Sequence, residues 1–138
     1  MWVVDDGQYL GEVETWSRSM QFADGLFETI SIVEGAAPAL SYHVARLEKG
    51  LSVLKLNLAQ DSALLLLTHY IAKMKTHSGL NNGVLKIIIS RANSARGYAF
   101  DDSLNARVTA FYSPSQTFAS QYYDEGINVQ LCETQCSI

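Results

Sequence analysis

Between positions 41 and 58 the apolar residues recur every three or four places, with Val44, Leu47, Leu51, Leu54 and Leu58 on one stripe and Ser41 placed to cap the segment. That spacing predicts an amphipathic helix. A second helix follows, with Asp61 as its cap, Leu64, Leu67, Ile71 and Met74 as its stripe and Gly79 as its stop. On either side of this pair the patterning is that of strands. Trp2-Val3-Val4, the turn Asp5-Asp6-Gly7 and Gln8 to Val13 predict a hairpin, because Asp-Gly readily takes the positive φ angles of a tight turn. Leu26 to Val33 predicts another strand, turning at Glu34-Gly35 into a short edge strand from Pro38 to Leu40. Beyond the helices, Val84 to Ser90 reads as an almost continuously apolar strand, Arg107 to Tyr112 as the next and Ile127 to Cys132 as a third. A long polar loop, Arg91 to Asn105, joins the first two of these.

Strand pairs, then two helices, then three strands fit an α+β domain with a mostly antiparallel sheet and two helices on one face, better than alternating βαβ units. No repeat, low-complexity tract or linker interrupts the chain, so residues 1–138 are expected to form one domain. The last strand runs into Cys132 to Ile138 without the polar tail or helix that normally closes a domain, and the sequence is expected to be part of a longer protein.

With 138 residues, 48% of them hydrophobic and 17% charged, the chain can bury a core and lies far from the composition of disorder. The net charge of -4 comes from scattered residues, with no basic run to follow a phosphate backbone, which argues against nucleic acid as a partner. The longest apolar stretch, Ala63 to Leu67, is far short of the ~20 residues that span a bilayer, and Asp5 and Asp6 stand where a signal peptide has its basic and apolar regions. The expectation is a cytoplasmic protein without membrane contact. Cys132 and Cys136 have no histidine beside them and are expected to be reduced thiols, with no metal site.

Arg46 lies about 110° around the first helix from the centre of the apolar stripe, at 100° per residue, and so at the rim of the buried face. There a guanidinium could hold a phosphate with two parallel hydrogen bonds, although a solvated surface arginine fits the same position. His43 lies nearer the stripe, where a partly buried structural histidine is the simpler role. In Asp24-Gly25-Leu26-Phe27-Glu28-Thr29 a glycine turn enters a strand, so Phe27 and Thr29 face one side and Leu26 and Glu28 the other; Phe27 suits a core as well as a pocket. Lys86 interrupts an apolar strand and needs a partner, a cavity or an edge to keep its charge solvated. Arg91 and the turn Arg96-Gly97-Tyr98 put two cations and a phenol on one loop, a place to bind carboxylates or simply a solvated loop. No nucleophile with a neighbouring base, metal-ligand cluster or phosphate-binding glycine loop is present.

Together, the segments Arg18 to Thr29, His43-Val44-Ala45-Arg46-Leu47, Gly83 to Arg91 and Arg96-Gly97-Tyr98 resemble the aminodeoxychorismate lyases, which belong with branched-chain and D-amino-acid aminotransferases to the fold type IV pyridoxal-phosphate enzymes. The resemblance covers nearly the whole chain but only about the first half of the family's length. It implies the smaller, N-terminal domain of a two-domain enzyme, an antiparallel sheet with two helices, and a homodimer. It makes Arg46 the ligand of the cofactor phosphate and places Phe27 and Lys86 at the substrate. It also implies that the lysine carrying pyridoxal phosphate lies beyond Ile138, since none of Lys49, Lys55, Lys73, Lys75 or Lys86 has its sequence context. The chain alone is then expected to contain no catalytic residue, to hold no cofactor stably and to be inactive. In the whole protein the implied reaction converts 4-amino-4-deoxychorismate to 4-aminobenzoate and pyruvate, for folate synthesis. An aminotransferase of the same class is the nearest alternative, and a cofactor-free interaction module the alternative of another kind.

Overall fold

Burial alternates along residues 25–32: Glu28, Ile30 and Ile32 turn inward, while Phe27, Thr29 and Ser31 turn outward. Only a strand with one covered face produces this period of two. In the computed structural model this segment is β3 (Gly25–Ile32) of a five-stranded sheet completed by β1 (Trp2–Asp5), β2 (Gln8–Tyr9), β4 (Gly83–Ser90) and β5 (Arg107–Ser113). The order is β2-β1-β5-β4-β3, and every neighbouring pair is antiparallel. The structure describes residues 2–5, 8–9, 17–79, 81–93, 97–101, 103–115 and 118–131, with backbone alone for 2–5, 8–9 and 77. The turn expected at Asp6-Gly7 and the continuation to Val13 lie outside the described residues. In β4, Leu85, Ile87 and Ile89 point inward and Lys86 outward, so the apolar run hides an alternation.

Two helices, α2 (Leu40–Leu54) and α3 (Ala63–Ser78), cover the inner face, giving the expected α+β arrangement. Leu47 and Leu51 of α2 and Leu66, Leu67, Tyr70 and Met74 of α3 share one core with the inward residues of β3, β4 and β5. The Tyr112 hydroxyl at its centre donates to the Tyr70 carbonyl at 3.1 Å, and burial pushes the phenol well above its ordinary range. No described helix is long and apolar enough to cross a membrane.

Several expectations need correction. Pro38 to Leu40 is not an edge strand: Pro38 and Ala39 turn the chain into α2, a place where a proline's fixed φ and missing donor do no harm. The helix begins after Ala39, which makes no side-chain cap, so Ser41 lies inside it; it ends where Lys55 adopts φ 52° and donates back to Leu51 and Ser52, leaving Leu58 to reach the core from the following segment. The cap of α3 is Ser62, accepting from the Leu65 N–H at 3.2 Å, while Gly79 ends the helix at φ 67° as expected. Leu64 is 47% exposed, because four consecutive leucines carry no phase of their own and the sheet selects Leu66 and Leu67. Finally, residues 127–131 form no strand. After the short helix α4 (Gln121–Asp124) they run exposed, with no described strand beside them to take their backbone hydrogen bonds. A further short helix, α1 (Arg18–Phe22), was not legible in the pattern; Ser17 caps it and Ala23, at φ 52°, ends it.

Candidate functional site

β3 is an edge strand, and α2 packs across its inner face. Glu28 therefore points from the strand towards the helix turn that carries His43 and Arg46, three residues apart and so on one side of the helix. One Glu28 oxygen accepts from Arg46 Nε at 2.7 Å; the other accepts from Arg46 Nη2 at 2.5 Å and meets His43 Nδ1 at 2.7 Å. An ionised carboxylate can only accept, so Nδ1 is the protonated nitrogen of His43 and Nε2 is left to face elsewhere. The Glu28 side chain is 2% exposed and the Arg46 side chain 69%, so a buried anion anchors a guanidinium whose far side meets solvent.

Burial alone would push the Glu28 carboxyl up, but the hydrogen bonds and charges of Arg46 and His43 together outweigh it and hold the group below its ordinary value of 4.5. The same contact pushes the Arg46 guanidinium further into its charged range. A carboxylate depressed in the folded state contributes stability above its unfolded pKa and loses it as pH falls through the folded one. Denaturation of the chain and of Glu28→Gln, measured from pH 7 down to pH 3, should therefore show the wild type losing more stability below about pH 4.5 than the variant does. Parallel curves would remove Glu28 from the acid response.

The outward face of the sheet holds a second group. Lys86 Nζ lies 5.1 Å from the centre of the Phe27 ring, and Phe27 is 62% exposed. A cavity of about 300 Å³ opens beside it, with Met20, Ala23 and Ile88 among its lining. Phe27 and Lys86 are thus brought together. Arg46 belongs to the Glu28 cluster on the inner side of the same edge strand.

Arg91 is placed differently from a ligand-facing residue. Its side chain is 6% exposed, its Nε donates to Asp24, and its two terminal nitrogens donate to the carbonyls of Lys55 and Leu54. Phe100 covers its face, with the ring centre 3.9 Å away. Those donors are spent on joining the strand end to the end of α2. Tyr98 is 83% exposed, with its ring 5.1 Å from that of Phe22. Arg96 lies outside the described residues.

Sequence reasoning passed over three charged residues that organise this region: Glu28, Asp24 and Arg18. For Glu28 a signal existed. It occupies the same phase as Ile30 and Ile32, and a carboxylate at a core position requires a cationic partner. For Asp24 and Arg18 none did: they pair with each other six residues apart, but the partners that bury them lie 67 to 81 residues away in sequence.

The family model described as amino-transferase class IV matches residues 25–136. Among solved structures, 4-amino-4-deoxychorismate lyase from Pseudomonas aeruginosa is similar at a TM-score of 0.74 and 30% identity, over 91% of this chain and 44% of that one. The D-alanine aminotransferase of Bacillus licheniformis is 28% identical over 104 residues, which is 75% of this chain and 36% of that protein. A branched-chain amino acid aminotransferase from T.th., solved with pyridoxamine 5'-phosphate, shares the fold at a TM-score of 0.70 and 17% identity, over 85% of this chain and 40% of that one. The chain spans less than half the length of each of these relatives. With the match running from β3 through α2 and α3 to β4 and β5, the chain belongs to the amino-transferase class IV family.

Proposed function

We propose that this chain forms the small domain of a pyridoxal-phosphate lyase that releases pyruvate from 4-amino-4-deoxychorismate and leaves 4-aminobenzoate, a step towards folate. The observation that carries the reading is the 30% identity to the Pseudomonas aeruginosa lyase across nearly the whole chain, against 12% and 17% for the branched-chain aminotransferases of Escherichia coli and T.th.. The residues present fit the cofactor's phosphate. Glu28 holds Arg46 by Nε and Nη2, and among the described residues nothing engages the outer side of the guanidinium, which is left free to donate to an anion. When bound, the cofactor supplies an electron sink for the bond being broken. The lysine that carries it would come from the rest of the enzyme. On the outer face, Lys86 beside Phe27 offers a cation and an aromatic surface to a substrate that bears two carboxylates and a six-membered ring.

The 28% identity to a D-alanine aminotransferase favours amino-group transfer as the second reading. Assay of the intact enzyme separates the two. Formation of 4-aminobenzoate with pyruvate supports the lyase, and transfer of an amino group to a 2-oxo acid without them removes it. In the same enzyme, Arg46→Ala should weaken pyridoxal-phosphate binding by about one to two orders of magnitude, the scale of lost charge-assisted hydrogen bonds. An unchanged dissociation constant in a titration of the purified variant would take Arg46 off the phosphate.

A further inference from the structure

Arg18 stands at the start of a five-residue helix, yet it is 5% exposed. Its Nε donates to Asp24 at 2.9 Å, Nη1 to the carbonyls of Gly97 and Ala99 at 3.2 and 3.3 Å, and Nη2 to the carbonyl of Tyr98 at 3.2 Å. Consecutive carbonyls of an extended chain point in alternate directions, so three of them meet on one cation only where the backbone curls around it. Gly97, at φ 101°, supplies the bend. The guanidinium also lies 5.1 Å from the centre of the Phe22 ring, one helical turn on, and the Tyr98 ring packs against the same phenyl. One side of α1 is therefore fastened to the loop that displays Tyr98, while its other side, through Met20 and Ala23, walls the cavity next to Phe27.

We infer that Arg18 is a positioning residue of the substrate side: a carbonyl clamp that fixes both the cavity wall and the Tyr98 loop, and so sets substrate affinity without touching substrate. This rests on the proposed function, because it takes the cavity beside Phe27 as the substrate's side. A lysine can replace Arg18 in an ion pair with Asp24, but it lacks the planar fork that reaches an aspartate and three carbonyls together. Arg18→Lys therefore separates a clamp from a simple charge partner.

The test is made on the intact enzyme that carries this chain, with kcat and KM for 4-amino-4-deoxychorismate and with chymotrypsin cleavage after Tyr98 read by mass spectrometry. Cleavage requires the Tyr98 carbonyl, which Arg18 holds. The expected result for Arg18→Lys is a KM raised about ten-fold with kcat within about three-fold, the pattern of lost binding that is uniform between ground and transition states, together with faster cleavage after Tyr98. Wild-type KM with wild-type resistance would overturn the clamp. Faster cleavage with unchanged KM, or a fall in kcat alone, would overturn its role at the substrate. If Arg18→Lys does not fold, Tyr98→Ala takes its place: a raised KM with kcat kept supports the inference and an unchanged KM overturns it. A wild type that is inert towards this substrate overturns the proposed function and the substrate role together, while the cleavage rate still judges the clamp.

Discussion

Asp24→Ala is expected to destabilise the chain by about 3–5 kcal/mol, the scale of removing one partner from a buried ion pair. Asp24 is the carboxylate that Arg18 and Arg91 share, with both arginine side chains 6% exposed. Without it two guanidiniums remain buried, still bonded to carbonyls but with no opposite charge beside them among the described residues. The loss should spread beyond the residue itself, because Arg91 joins the end of β4 to the end of α2, and Arg18 joins α1 to residues 97–99. Urea denaturation of the variant measures it. Asp24→Asn should fall between the two, since the amide keeps an acceptor and loses the charge. A loss below about 1 kcal/mol for alanine, the scale of an exposed pair, would mean that solvent reaches these arginines.

Leu47→Ala is expected to cost about 2–5 kcal/mol, as for other leucines removed from a packed core. Leu47 is 1% exposed, follows Arg46 directly and belongs to the patch of α2 that meets the sheet. The cavity left behind would loosen the helix that places Arg46 against Glu28. Adding Glu28→Gln should then change the acid response less in this variant than it does in the wild type. Equilibrium denaturation gives the first quantity, and the same experiment at low pH gives the second. A stability change under about 1 kcal/mol would imply that the neighbouring side chains collapse into the space.

The sequence was most legible where periodicity and burial coincide. α2 could be read because Val44, Leu47 and Leu51 recur at helical spacing between mostly polar residues, and β3 because Ile30 and Ile32 alternate with Thr29 and Ser31. Legibility failed where tertiary contacts decide. The leucines at 64–67 fit several helical phases, and only the sheet selects which two are buried. Residues 127–131 alternate apolar and polar like a strand, but a strand also needs a neighbour, and no local pattern reports whether one is present. α1 is too short to show a period and is held instead by Arg18 and its distant carbonyls. In the site, the places of His43 and Arg46 on the helix, near the apolar stripe and at its rim, were legible, but not that both pair with Glu28. A loop arginine such as Arg91 looks the same in sequence whether it faces a ligand or the interior. Its direction is decided by Asp24 and by the carbonyls that end α2.

Gly25 and the alternation that follows it make the length of this segment matter more than most of its residues. A Cβ at Gly25 would stand 2.6 Å from the Ile89 carbonyl oxygen, so the strand enters the sheet in direct contact with its neighbour and cannot slide aside. Beyond that point Phe27 faces one side and Glu28 the other. One residue inserted between Gly25 and Phe27 would move a phenyl ring into the place opposite Arg46 and turn the carboxylate towards Lys86, and one deleted there would put Thr29 opposite Arg46 instead. Homologous chains are therefore expected to vary in residue type along β3 while keeping the spacing from Asp24 to Glu28 fixed, with insertions and deletions gathered instead in the exposed turn at Glu34 and Gly35.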